Sequence, residues 1–381
     1  MIPGEPSGPR AAQLRLLARR VTPPLLAVLV IGLLLLAFLW LALRLGGYDA
    51  SRALAALWRG SLGSWDALTS ATLVRAIPLV LAGLAVALAF RAGVWNIGAE
   101  GQLLVGAAVY TAVALRLGSS LPVLGIVVAL ALAGAAGAAW AGVAAILRER
   151  FGVLEVISTI MLNFVALHFV SWLVRGPLQE PSRVYPQTLA IPDALRLDRF
   201  VPGERLHLGL LVALTAAVVV WWVLRFTAAG FRVRVVGASP SAARAAGLID
   251  VARTAAGAFL VSGALAGIAG AIEVGGVTYA LYENLSPGYG YTAIAVALLA
   301  RLHPGAVVAT GILFGALESG ALAMQRDAGV PSVLVSVLEA VLILGLLALE
   351  RARGDRRFTV FAQGTSVRTP RDAAHRAVGP S

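Results

Sequence analysis

From Val21 to Leu43 the chain carries no charged side chain, a run long enough to cross the roughly 30 Å hydrocarbon layer of a bilayer as a helix. The pattern recurs. Apolar segments poor in charge fall at 23–43, 76–90, 93–115, 121–147, 156–174, 208–224, 255–273, 290–300, 304–324 and 330–349. They are continuous rather than alternating, and a backbone in hydrocarbon must satisfy its own hydrogen bonds, so helices are the expected spanning elements. The fold class expected is all-α, a polytopic transmembrane helical bundle of about ten spans, one for each segment. Segments 76–90 and 290–300 are short for a full crossing. Each either borrows polar flanking residues, tilts little, or is a broken helix buried against its neighbours. Composition agrees: hydrophobic residues make up 59% of the chain and charged residues 13%, where soluble domains sit near half and a quarter.

The net charge of +12 comes from Arg alone, because the chain has no Lys. In a soluble protein such a charge would suggest nucleic acid. Here no basic, aromatic-interleaved soluble face exists to carry that function, and many Arg lie beside apolar runs, where they hold cytoplasmic helix ends against anionic lipid. Counting Arg near the span ends puts both termini in the cytoplasm. Alternation then places the 175–207 loop outside, although it carries Arg175, Arg183, Arg196, Arg199 and Arg205. The expected organisation is a cytoplasmic arm over 1–20, a transmembrane domain over 21–350 and a disordered cytoplasmic tail over 351–381. The apolar run after Arg20 is too long for a cleaved leader, so the first helix is expected to remain as an anchor. Residues 45–70, with Trp58, Trp65, Arg52 and Arg59, suit an interfacial amphipathic helix on the outer face. Small residues at Gly134 to Gly137 and at Gly263, Gly267 and Gly270 predict close helix packing. With no Cys and four scattered His, disulfides, thiolate metal sites and cysteine catalysis are excluded, and a lipid-modifying metal enzyme is disfavoured.

Polar residues at membrane depth mark candidate sites. Asn96, Glu100 and Gln102 stand among glycines in RAGVWNIGAEGQ. Either the helix breaks there and its backbone faces a solute path, or Asn96 caps the next helix with Glu100 in its first turn. In EVISTIMLN, Glu155, Thr159 and Asn163 share one helical face; that stripe either lines a route or returns its hydroxyls to backbone carbonyls. Glu273 is a further pathway candidate, beside the Gly275, Gly276 break; Glu318 and Glu339 are expected to face protein or water, and His168 to be a satisfied interhelical histidine. Tyr289 and Tyr291 either stack a ring at the outer mouth or belong to the interfacial aromatic belt. Within 225–253, Ser239 and Pro240 start and Gly247 stops a short Ala-rich helix.

NIGAEGQ, EVISTIMLN with the later VRGPLQEP, VGASPSAARAAG, and YGYTAIAVALLARLHPGAVVATGILFG stand in this order across most of residues 75–325. Together they resemble permease subunits of ABC importers in the branched-chain amino acid, ribose and nucleoside group, nearest the nucleoside branch. The resemblance implies that the helix carrying Gly237, Ser239, Pro240, Ala242, Ala243 and Gly247 is a coupling helix that docks on an ATPase. It implies ABC ATPase subunits, a second permease subunit (a homologue or another copy), an extracytoplasmic solute-binding protein and a prokaryotic plasma membrane as partners and setting. A Walker A loop requires Lys, so no cofactor is expected on this chain, ATP and Mg being used by the partner ATPases. The competing reading is an ion- or proton-coupled secondary transporter with the buried Glu residues as coupling sites.

Overall fold

The computed structural model describes residues 33 and 36–341, apart from 121, 248, 332, 335, 338 and 339. The arm 1–20, the tail 351–381, much of segment 23–43 and more than half of 330–349, Glu339 included, lie outside the described residues. Two compact units are distinguished, Trp40–Val335 and Met1–Leu39 with Ser336–Ser381.

The first unit is built of helices: α1 Leu36–Leu45, which begins just ahead of it, α2 Ala50–Ser61, α3 Leu73–Arg91, α4 Ala99–Leu117, α5 Pro122–Phe151, α6 Glu155–Arg175, α7 Gly209–Phe226, α8 Ala228–Ala238, α9 Pro240–Ala245, α10 Val251–Glu273, α11 Tyr289–Leu299 and α12 Pro304–Ala328. Among the described residues, extended pairing is confined to two isolated bridges, Gln187 with Tyr282 and Arg199 with His207. Among the described residues, six helices are long and apolar enough to cross a membrane: Ala67–Arg91, Pro122–Phe151, Glu155–Arg175, Gly209–Phe226, Val251–Thr278 and Pro304–Ala328. Two of these outrun the apolar segments because π-helical turns, Ala67–Thr72 and Val274–Thr278, extend α3 and α10. Segment 76–90 is thereby lengthened to 25 residues, with Arg75 inside it. Segment 290–300 is not lengthened: α11 has 11 residues. α4 has 19 residues, but Glu100, Gln102 and Arg116 dilute its apolar content.

Small residues decide where the core sits. α10 packs on α5, α4 and α3, and it approaches so closely that side chains are excluded at the crossings. A methyl group at Gly270 would overlap the carbonyl of Leu103, one at Gly106 the backbone of Gly267, and one at Gly267 the carbonyl of Ala133; Gly137 and Gly263 exclude each other in the same way. Between helices in lipid, contact of this kind replaces the hydrophobic drive as the source of association. α3 runs almost wholly buried through this core, whereas α5, α6 and α7 turn most of their apolar surface outward, as at Val127, Phe164, Trp172, Val218 and Trp222. Surface of that character is stable against lipid or another apolar protein. α2 is amphipathic as expected: Ala50, Ala53 and Ala56 are buried, Trp58 is exposed, and Asp49 caps it through its Oδ1.

The two ends of the bundle are distinct. At one, Arg91 at the end of α3 donates from Nε to the carbonyl of Leu302 at 2.7 Å, and α8 is pressed against the Arg91 carbonyl at Gly237. At the other, the 176–208 loop lies over residues 274–283. Thr188 N donates to Leu281 O at 2.8 Å, Ile191 N to Tyr279 O at 2.7 Å and Leu197 N to Gly275 O at 2.8 Å. Tyr110 at the far part of α4 donates its hydroxyl to Leu195 O at 2.7 Å.

The glycine crossings predict a sharp positional contrast along one helix. Gly267→Val is expected to cost about 3 kcal/mol or more by forcing α10 off α5 and α4. Gly257→Ala, where a methyl group meets nothing within 4 Å, is expected to leave stability unchanged or slightly raised. Thermal unfolding in detergent, followed by size-exclusion chromatography, checks both; equal melting for the two variants would refute the close-packing account.

Candidate functional site: two helices that begin inside the bundle

α6 serves as a ruler through the bundle. Its 21 residues rise about 1.5 Å each, close to 30 Å in all. At its first residue, Glu155 Oε1 lies 3.4 Å from Arg148 Nη1 and accepts from Trp95 N at 3.4 Å. At its last, Arg175 holds Glu283 in a two-pronged pair, with Nε to Oε1 at 2.7 Å and Nη2 to Oε2 at 2.6 Å. The Ser171 hydroxyl donates to the same carboxylate. Arg175 and Ser171 together hold the Glu283 carboxyl down at about 2. Asn163 stands eight residues along, about 12 Å from the Glu155 end.

At the depth of Asn163 two helices start. α3 ends at Arg91, Gly93 turns the chain with φ +75°, and the backbone stays irregular until α4 opens at Ala99. The first residues of a helix leave their N–H groups unpaired, and Gly98, at the cap position, has no side chain to serve them. The partner comes from another helix: Asn163 Oδ1 accepts from Gly101 N at 2.8 Å, while its Nδ2 donates to Ile97 O at 2.9 Å and to the Tyr291 hydroxyl at 3.3 Å. α11 opens the same way. Gly288, with φ +102°, precedes it, Ser286 Oγ accepts from Gly288 N and Tyr289 N at 3.1 and 3.0 Å, and Glu100 of α4 accepts from Gly290 N at 2.7 Å. Asn163 thus caps α4, and Glu100 caps α11, each from outside the helix it serves. Gly290 permits the second contact, because a methyl group there would strike the backbone of Ala99 and Glu100.

Asn96 holds the break between α3 and α4 together. Its Nδ2 donates to Gln102 Oε1 at 2.9 Å and to Ser262 Oγ at 2.8 Å, and its Oδ1 accepts from Gly98 N at 2.9 Å and Gln102 Nε2 at 3.0 Å. Ser262 donates its own hydroxyl to Ala85 O at 2.6 Å, tying α10 and α3 to the break. The chain does break between α3 and α4, and Glu100 does stand in the first turn of α4, but the cap position of α4 belongs to Gly98, and Asn96 holds the preceding turn instead of capping the helix. Asn96, Glu100, Gln102 and Asn163 are all buried and spend these groups inside the chain. Thr159, also buried, returns its hydroxyl to Glu155 O at 2.7 Å.

The structure keeps Glu273 apart from this network. It is buried on α10 under the electrostatic influence of Arg75, Glu318 and Arg205, with Arg75 Nη1 3.9 Å from Glu318 Oε2. His168 is exposed rather than packed between helices, and the two tyrosines separate: Tyr289 is buried and Tyr291 exposed. Sequence reasoning passed over three residues that matter here. Ser262 looks like one more small residue on a glycine-rich helix face. Ser286 reads as loop. His207 sits fully buried under the loop end, accepting from Gly209 N at 3.2 Å through Nδ1 and pressed against Gly276. Burial, with Arg199 and Arg205 near, pushes its imidazole down to about 4, so it is neutral at physiological pH.

At the Arg91 end, α9 starts and stops where the pattern indicates. Ser239 Oγ accepts from Ala242 N at 3.2 Å, Pro240 occupies the first turn, and Gly247 follows with φ +68°. α8 precedes it as a second helix inside what reads as loop, capped by Thr227 Oγ1 accepting from Gly230 N at 3.1 Å. Ala242 and Arg244 are exposed on α9, whereas Ala243 is fully buried and faces the chain's own interior. Gly237 is a packing residue against Arg91.

Similarity to known proteins extends over the same stretch of chain. Residues 68–347 match the family described as branched-chain amino acid transport system / permease component. A guanosine ABC transporter permease protein of Bacillus subtilis is 38% identical over 84% of this chain and 91% of its own length. A glucose ABC transporter permease protein of Haloferax volcanii is 39% identical over 89% of this chain and 92% of its own. A nucleoside ABC transporter permease protein of Lactococcus lactis is 31% identical over 85% and 90%. No solved structure matches the chain.

The trans caps predict an asymmetry between two substitutions at one position. Glu100→Ala leaves the buried Gly290 N–H without an acceptor, at a cost of about 1–3 kcal/mol. Glu100→Gln keeps an oxygen in place and is expected to recover most of that loss. Thermal unfolding of the detergent-purified protein reads the difference, and identical melting of the two variants would remove Glu100 from its capping role.

Proposed function

We propose that this chain, which belongs to the family of branched-chain amino acid transport system permease components, passes a nucleoside across the plasma membrane of a prokaryote as one of two permease subunits in an ABC importer. Three features support the reading. The match to permeases named for guanosine, nucleosides and glucose covers nearly all of the chain and of those proteins. The small exposed helix α9 stands on α8 at one end of the bundle. Two helix starts meet at mid-depth, where a solute passing through the membrane would need polar backbone.

In this reading α4 and α11 lie at membrane depth with the six long helices, and the two apolar segments nearest the ends of the chain bring the crossings to about ten. Both termini are cytoplasmic, so the Arg91 end faces the cytoplasm and the 176–208 loop faces outward, where a solute-binding protein delivers its load. α9, through Ser239, Pro240, Ala242 and Gly247, docks on an ATPase subunit, with Gly237 and the inward-facing Ala243 holding it to the bundle. Asn96, Glu100, Gln102, Thr159 and Asn163 shape the broken helices that border the route, and Glu273 supplies a carboxylate nearer the loop end. The partner ATPases bind ATP and Mg; closing them shifts α9 and switches the route from outward to inward access. The second permease subunit is a homologue or another copy. A nucleoside carries no net charge at neutral pH, so amides, hydroxyls and aromatic rings suffice for its passage. The same contacts suit a sugar, and the permease named for glucose keeps a hexose as the alternative solute.

The observation that carries the proposal is the match, along about 85% of the chain, to permeases named for guanosine and for nucleosides. Uptake of labelled guanosine and cytidine in cells with and without this chain tests it, with ribose and glucose as comparison. Nucleoside uptake is expected to fall to background without the chain; unchanged nucleoside uptake together with lost sugar uptake would overturn the solute assignment. For the docking surface, Ala242→Arg, on the exposed side of α9, is expected to abolish co-purification of the ATPase while the permease still inserts. Full co-purification would reject α9 as the contact.

A further inference from the structure

Between Glu283 and Gly288 the chain is not helical, yet it descends through much of the bundle. Glu283 is tied to Arg175, and Tyr291 to Asn163. Arg175 is twelve positions from Asn163, about 18 Å along the helix axis, and Ser171, which also donates to Glu283, is eight, about 12 Å. Along the descent Asn284 and Pro287 are exposed, and Asn284 (φ 56°) and Gly288 (φ 102°) are left-handed. Irregular backbone at membrane depth persists only where protein covers it or water fills the space beside it. Exposed residues on such a segment therefore border water or the second subunit, not lipid.

Tyr291 continues that surface one turn into α11. It is 45% exposed, while its hydroxyl is held by the buried amide of Asn163. A tyrosine of the interfacial belt sits at headgroup level, but this one lies about 18 Å from the loop end of α6. The tether holds the ring at its hydroxyl, while nearly half of the residue stays exposed. Tyr289, two residues earlier, is buried and offers no such face.

We propose that the ring of Tyr291 lines the water-filled solute route at mid-depth and stacks on the base of a nucleoside as it passes. Stacking is tolerant of base identity, since every base has a π face. It is also weak enough to let the solute leave. The assignment rests on the nucleoside-permease reading above, and its test separates the two. Because the chain has no Cys, single cysteines report water access without further engineering.

In membranes holding the assembled transporter, Tyr291→Cys and Pro287→Cys are expected to react with a charged, membrane-impermeant methanethiosulfonate. Val218→Cys, on the outward apolar face of α7, is expected not to react. Guanosine, supplied with its binding protein, is expected to slow labelling of Tyr291→Cys. In uptake, Tyr291→Phe is expected to stay within about twofold of wild type and Tyr291→Leu to fall about tenfold for guanosine, in line with the loss of one stacking partner. The proposal is overturned if Tyr291→Cys is as unreactive as Val218→Cys, if guanosine leaves its labelling unchanged, or if Tyr291→Leu transports guanosine like wild type. A wild-type transporter that carries no nucleoside at all would instead sink the solute assignment, whatever the thiol reactivity.

Discussion

A helix that begins inside a membrane protein presents unpaired N–H groups to a medium that cannot solvate them, and the rest of this structure is arranged around meeting that requirement twice. α4 and α11 both start at the depth of Asn163, and neither has a side chain at its own cap position, since Gly98 and Gly288 stand there. Asn163 and Glu100 supply the missing acceptors across helix boundaries. Local caps would fix each helix alone; caps lent from elsewhere make α6, α4 and α11 depend on one another in that order. Ser286 adds the local share at α11. Burying a carboxyl group and three carboxamides is costly unless every group is matched. The side-chain oxygen and nitrogen of Asn96, Gln102 and Asn163 are all matched here, which explains why polar residues so far inside are compatible with a stable bundle.

The second dependence is steric. A break in α3–α4 puts irregular backbone against α10, and that contact works only because α10 is lined with Gly263, Gly267 and Gly270 and with a single small hydroxyl, Ser262, at the place where Asn96 needs a partner. The glycines draw α4 and α5 in to backbone contact, so the break is sealed on that side. On the opposite side α11 is short, and residues 284 and 287 before it are exposed. The asymmetry divides the unit into a close-packed half built on α3, α4, α5 and α10, and a thinner wall beside α6.

Much of this was legible in the chain and some of it could not be. Continuous apolar runs located the six long helices among the described residues, because hydrocarbon leaves the backbone few alternatives. The Ser239, Pro240 and Gly247 signals placed α9, since start and stop chemistry is local. NIGAEGQ marked the break, since glycines beside amides at membrane depth have few other uses. What a linear pattern could not reveal was direction. Glu155, Thr159 and Asn163 do share a face, but whether that face meets water or α4 depends on a helix distant in sequence. Ala243 and Ala242 are indistinguishable as letters, yet one is buried and the other exposed. α8 was hidden because its Arg-containing stretch lacks a long apolar run, and the π-helical extension that brings Arg75 into the α3 span leaves no periodicity to detect.

These contacts also form one continuous path from α9 to the mid-depth site. α9 follows α8, and Gly237 of α8 lies against the Arg91 carbonyl. Arg91 binds the Leu302 carbonyl just beyond the end of α11, and the start of α11 is held by Glu100 and, through Tyr291, by Asn163. Contiguity of this kind becomes coupling only when some member has two stable arrangements. α11 is the member suited to it. At 11 residues it is short enough to move as a rigid rod, its first turn is held by a few polar contacts, and its exposed side is where Tyr291 stands. A displacement of α8 at the Arg91 contact would reach Tyr291 through a helix about 16 Å long, and because Gly290 lies against the backbone of Ala99 and Glu100, the start of α4 would feel it too.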